Sequence, residues 1–111
     1  MEKKLTIDGK EVGFKATGAT VRLYRQKFGK DLLLDMNQLQ AEYQKEDLSY
    51  ASLEVFENLA YIMAKQYDAS IQDSPDEWLD DFSMFSIYEI FPELIGLWNA
   101  STNVSVKAKK K

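Results

Sequence analysis

The sequence contains no cysteine and no histidine. The first absence excludes disulfides and thiolate metal sites. The second removes the commonest general base and the commonest metal ligand. Neither a Ser-His-Asp nor a Cys-His arrangement can be drawn, and zinc sites need at least some Cys or His in nearly every case. A carboxylate-only site, for magnesium or for glycoside hydrolysis, is the enzymatic option left open. No run of about 18 apolar residues occurs, so no transmembrane helix is expected. The opening Met1-Glu2-Lys3-Lys4 leads into an alternating stretch, which predicts no secretory signal. Gly9, Gly13 and Gly18 do not make a phosphate-binding loop, and neither GxGxxG nor GxxxxGK[ST] is present.

Cations are scarce in one half of the chain. The 111 residues carry 14 Lys and Arg against 18 Asp and Glu, a net charge of -4. Lys107, Lys109, Lys110 and Lys111 crowd the end, and removing these four from the 14 leaves 10 cations against the 18 acids. From Gln66 to Val106 there is no Lys or Arg, while Asp68, Asp73, Asp76, Glu77, Asp80, Asp81, Glu89 and Glu93 lie there. Such a segment repels phosphate and suits a basic partner, or it is a solvated face that aids solubility. Hydrophobic residues at 45% are enough for one core and one domain.

Hydropathy patterning predicts a mainly α (α+β) domain over residues 1–100. It has about five helices and a short N-terminal β-hairpin over about 3–16. Leu5 and Ile7 alternate with Lys4 and Thr6, and Asp8-Gly9 is a favoured two-residue hairpin turn. Val12 and Phe14 alternate on the return strand, where Gly13 marks a weak point or a bulge. A helix follows over Thr17 to Phe28, capped by Thr17 or Gly18, with Val21, Tyr24 and Phe28 on one stripe and Gly29 as its stop. Asp31 caps a second helix carrying Leu32, Met36, Leu39 and Tyr43. Gln44 to Leu48 is a polar link. Ser49 opens a long helix to about Tyr67, with Leu53, Phe56, Ala60, Met63 and Tyr67 on one stripe and Val55, Leu59 and Ile62 on another. A helix apolar on two faces is buried between neighbours. Ser74-Pro75-Asp76-Glu77 has the form of a capping box for a short helix to about Phe82. Ser83 or Ser86 starts the last helix, which Pro92 breaks near Phe91 and which reaches Ala100. Residues 101–111 are expected to form a flexible basic tail.

Few residues invite chemistry. Asp76, Glu77, Asp80 and Asp81 do not match an EF-hand loop, and the helix dipole alone explains acids in a first turn. Tyr24, Arg25, Lys27, Phe28 and Lys30 interleave basic and aromatic groups as nucleic-acid surfaces do, with Arg22 adding a cation. Tyr24 and Phe28 also share one helical face, which reads as core. Trp78, Phe82, Met84, Phe85, Tyr88, Phe91 and Trp98 crowd one short segment. They are core alone, or core plus a partner-binding patch; the candidate partner-binding residues are Trp78, Phe82, Phe85, Tyr88, Phe91 and Trp98.

The hairpin, then Lys15-Ala16-Thr17-Gly18-Ala19-Thr20 and Leu23-Tyr24-Arg25-Gln26-Lys27-Phe28-Gly29-Lys30-Asp31-Leu32-Leu33, form an ordered series. Asp76-Glu77-Trp78-Leu79-Asp80-Asp81-Phe82 and Ile87-Tyr88-Glu89-Ile90-Phe91-Pro92-Glu93-Leu94 with Leu97-Trp98 continue it. Nearly the whole chain thereby resembles the tail assembly chaperones of long-tailed phages of Gram-positive bacteria. The resemblance implies a helical, non-enzymatic protein without cofactor or metal, working in the host cytoplasm and absent from the mature virion. It implies the tape measure protein as partner, with tail tube subunits or further copies of the chain as others. Such chaperones coat the long helical client until tube subunits polymerise around it. Many are made in two lengths by a ribosomal frameshift, and the A-rich codons of Lys109-Lys110-Lys111 suit such a site. A generic intracellular protein-protein adaptor and a small nucleic-acid-binding regulator are the rival readings.

Overall fold

The computed structural model describes residues 1–109, and the side chains of residues 1–102. Strands β1 (Glu2–Ile7) and β2 (Lys10–Lys15) pair antiparallel, with Ile7 opposite Lys10 across the turn. Asp8 and Gly9 both take positive φ, 55° and 77°, the geometry that matches the twist of the two strands. Ile7 and Phe14 point into the core while Lys4 and Thr6 face water.

Five helices follow: α1 (Ala19–Phe28), α2 (Leu32–Gln44), α3 (Tyr50–Tyr67), α4 (Pro75–Leu79) and α5 (Phe91–Lys109). A short 3-10 turn, Ser86–Ile90, precedes α5. Local chemistry accounts for the ends of these elements. Gly29 closes α1 in the left-handed region at φ 68°, and its N–H donates to the Arg25 carbonyl. The Asp31 carboxylate accepts from the N–H of Leu33 at 2.9 Å and of Leu34 at 3.4 Å. Ser49 Oγ accepts from Ser52 N, and Ser74 Oγ from Glu77 N. Pro92 is the second residue of α5, where a missing N–H leaves no helical bond unmade.

The buried hydrophobic side chains form one cluster around α3. β2, α1, α2 and α4 all pack against that helix, and β1 lies beside the 3-10 turn. Phe91 stacks between Phe56, at 4.3 Å, and Tyr43, at 4.8 Å, tying the start of α5 to α3 and α2. Among the described residues no helix is long and apolar enough to cross a membrane.

Several boundaries differ from the sequence expectation. Helix α1 starts at Ala19, two residues later than expected, with Gly18, one of the two expected caps, as its N-cap. Its preceding Gly18 offers no side chain, and the Thr17 hydroxyl accepts from Ala19 N instead. Helix α4 stops at Leu79, and the chain to Ser86 continues in turns. The last helix starts at Phe91 rather than at Ser83 or Ser86, with the expected break near Phe91 present between the 3-10 turn and α5. It also does not end at Ala100. Ser101 and Thr102 continue it, their hydroxyls donating to the Leu97 and Asn99 carbonyls at 3.1 Å each. The remainder of the expected tail lies outside the described side chains.

Gly13 does not mark a bulge. It pairs in regular register with Lys4, and the Tyr67 ring lies where its side chain would be. A Cβ there would sit 2.3 Å from two carbons of that ring. Gly13→Ala must push Tyr67 off β2, and we expect a loss of about 1–3 kcal/mol, read from urea or thermal unfolding.

Glu42 organises the α2–α3 link. Its carboxylate accepts from Ser49 N at 2.8 Å, Ser49 Oγ at 2.9 Å and Gln38 Nε2 at 3.0 Å. The Ser49 backbone N–H foremost, then the side-chain donors, hold its pKa down from 4.5 to about 2. A depressed carboxyl stabilises the fold above its unfolded-state value and loses that contribution as pH falls through its folded value. The link should therefore keep its order down to about pH 4.5 and lose this contribution between there and pH 2. A carboxyl NMR titration that placed Glu42 at the ordinary value would contradict this.

Candidate functional site

The six aromatic residues proposed as a partner surface divide three ways. Trp78, Phe91 and Trp98 are buried core side chains, which corrects their assignment as surface anchors. Trp78 is wedged edge-on between Tyr61 at 6.0 Å and Phe82 at 5.3 Å. All three belong to the one buried hydrophobic cluster. Phe82 and Tyr88 are half-buried, and Phe85 is 70% exposed. Beside it Met84, absent from the expected set, is 81% exposed.

Met84 and Phe85 form the tip of the loop joining α4 to the 3-10 turn. That loop is tied down at several points. The Asp8 carboxylate, in the hairpin turn, accepts from Ser83 N at 3.0 Å. Lys10 Nζ donates to the Asp81 carbonyl at 2.6 Å and stands 5.5 Å from the Phe82 ring centre. The hydroxyls of Ser83 and Ser86 bond to each other, and Gln72 Nε2 donates to the Asp81 carboxylate at 2.8 Å. Two large apolar side chains thus stand in water on an anchored loop. Adjacent exposed apolar side chains can form part of an interaction surface, whereas single ones are ordinary.

A hollow of about 350 Å³ opens next to the tip, lined by Leu79, Phe82, Met84, Ile87 and Tyr88 together with Glu57 and Asp80. The Tyr88 hydroxyl donates to Glu57 Oε2. Burial first, then this carboxylate, pushes the phenol up to about 12, so it stays a protonated donor at neutral pH. The hollow is apolar in its walls and acidic at its edge.

A second groove, of about 550 Å³, runs between α1 and the C-terminal half of α3. Leu23, Tyr61, Ile62 and Ala69 line it with Lys27, Lys65 and Asp73. Its cations are already engaged: Lys65 Nζ reaches the carbonyls of Ala69 and Ile71 and pairs with Asp73 at 3.1 Å. Lys27 Nζ donates to the Asp73 carbonyl and lies 5.9 Å from the Tyr61 ring centre. The sequence reading did not find this groove. Leu23, which falls off the Val21-Tyr24-Phe28 stripe, was its only signal.

The interleaved basic and aromatic residues of α1, with Lys30 just after it, divide between core and solvent. Tyr24 is buried with its hydroxyl on Asp35 at 3.0 Å, and Phe28 is half-buried, while Arg22, Arg25 and Lys30 face water. No aromatic there is free for a base to stack on. The acids of α4 also disperse. Glu77 meets the Ser74 hydroxyl, Asp81 meets Gln72, and among the described residues no three carboxylates converge on a common point.

The chain matches no protein-family model, no curated protein and no solved structure.

The division between core and tip is testable by stability alone. Trp78→Ala should cost about 3–5 kcal/mol through loss of burial and the cavity left behind. Phe85→Ala should stay within about 0.5 kcal/mol of wild type. Parallel urea melts of the two variants measure the contrast.

Proposed function

We propose that this chain is a non-catalytic assembly chaperone that holds a long helical client, the role of the tail assembly chaperones it resembles. The client on this reading is a tape measure protein, bound in the host bacterial cytoplasm and released as tail tube subunits polymerise around it. Tube subunits or further copies of the chain are secondary partners. The observation that carries the proposal is the anchored apolar tip, Met84 and Phe85, beside an open apolar hollow. A client-holding surface needs exposed apolar anchors on a rigid support, and no catalytic constellation. Weak single contacts repeated along a long client add up through avidity.

Co-expression with the tape measure protein of the same genome, followed by pull-down and light scattering, tests the proposal. The expected result is co-purification with many copies per client and a more soluble client. The double variant Met84→Ala, Phe85→Ala should keep its fold and lose most of the capture. A wild-type chain that ignores the client would return the protein to the adaptor reading, with another partner for the tip.

A further inference from the structure

Charge supplies a second constraint on what fills the hollow. Its edge carries Glu57 and Asp80, and the exposed Asp81 and Glu89 flank its lining residues in the chain. The segment from Gln66 to Val106 contributes acids and no cation. The hairpin supplies Lys3, which pairs with Glu93 at 3.1 Å, and Lys10, whose ammonium donates to the Asp81 carbonyl and stands over the Phe82 ring without pairing with a carboxylate among the described residues. The other ion pair among the described residues, Lys65–Asp73, belongs to the α1–α3 groove. Asp80 and Glu57 line the hollow and form no ion pair among the described residues, and the exposed Glu89 follows Tyr88 in the chain.

Resting on the chaperone reading above, we infer that the segment received here is a basic amphipathic helix. Its apolar stripe lies over Met84 and Phe85 and sends one anchoring side chain into the hollow between Phe82, Ile87 and Tyr88. Its flanking Lys or Arg residues meet Asp80, Asp81, Glu57 and Glu89. A hollow of about 350 Å³ has room for side chains, not for a whole helix, so the helix axis runs above it. An acidic helix or a nucleic acid meets like charge at the same rim and is rejected.

The test uses the full chain and two labelled synthetic helices of about 20 residues, long enough to hold helical structure. Both carry the same Leu-Trp stripe; one is flanked by Lys and the other by Glu. Fluorescence anisotropy should show the Lys helix binding at least about tenfold tighter, with the gap closing as salt rises from about 0.1 M to about 1 M. Asp80→Lys with Glu89→Lys should erase the preference, Phe85→Ala should weaken the Lys helix, and Leu23→Ala in the other groove should change nothing. Equal affinity for the two helices, or a preference that survives the charge reversals, overturns the inference. So does salt-sensitive self-association of the chain alone that is lost on Arg22→Glu with Arg25→Glu and that blocks the Lys helix, because the occupant is then a second copy. Capture of the tape measure protein that is indifferent to Asp80→Lys and Glu89→Lys overturns this inference and leaves the chaperone reading standing. Binding of the Lys helix by a chain that ignores the tape measure protein does the reverse.

Discussion

The structure depends on the burial of α3 on all sides. From Leu59 to Ala64 six consecutive residues are buried, so for more than one full turn the helix has no solvent face. Such a helix is stable only when every side is covered, and a chain of 111 residues has few elements to do it. The hairpin covers one side through β2, α1 and α2 cover two more, and α4 with Trp78 closes the remainder at Tyr61. The small size of Ala60 and Ala64 lets neighbours approach closely, while Tyr61 spends its hydroxyl on the Gln72 carbonyl at 2.6 Å, so a polar group enters the core already satisfied.

That demand explains the two-stranded hairpin. Alone it is marginal in water. Here it acts as a lid on α3, with the Tyr67 ring set against the space that Gly13 leaves open. Its turn has a second use. Asp8 and Lys10, on either side of Gly9, both reach the loop after α4, so the element that shields the central helix also positions the exposed tip. The tip is presented by a stretch of turns, yet it is braced from the far end of the sequence by a carboxylate–amide bond and an ammonium–carbonyl bond.

Whatever a few adjacent residues decide was legible in the sequence. The Asp8-Gly9 turn, the Gly29 stop, and the caps at Asp31, Ser49 and Ser74 each depend on side chains within three positions, and each forms. The mainly helical class with an N-terminal hairpin followed from those signals and the apolar periods. What depended on distant partners was not legible. Gly13 looked like a bulge because Tyr67, its reason for being glycine, lies 54 positions away. Trp78, Phe91 and Trp98 looked like Phe85 because all are large aromatics in one segment. Only the packing of α4 and α5 on α3 separates those that fill the core from the one left outside. Met84 followed the same logic: with Phe85 it sits in a stretch of no helical or strand period, so no pattern assigned it a face.

The charge distribution and the fold constrain one another. Folding brings the hairpin against the acidic C-terminal half, where its cations Lys3 and Lys10 make polar contacts with Glu93 and the Asp81 carbonyl. Exposed pairs of this kind contribute little to stability, so neutralising the acidic half was not required for folding. The acids of this half other than Asp73 and Glu93 form no ion pair among the described residues. An exposed Met-Phe pair without charge would be a liability for non-specific association. On the inference drawn above, the carboxylates of Glu57 and Asp80 at the hollow repel acidic surfaces of neighbouring copies and favour a cationic apolar segment. On that inference the acids that help keep the tip in solution also select what docks on it, and a single arrangement of residues meets both demands.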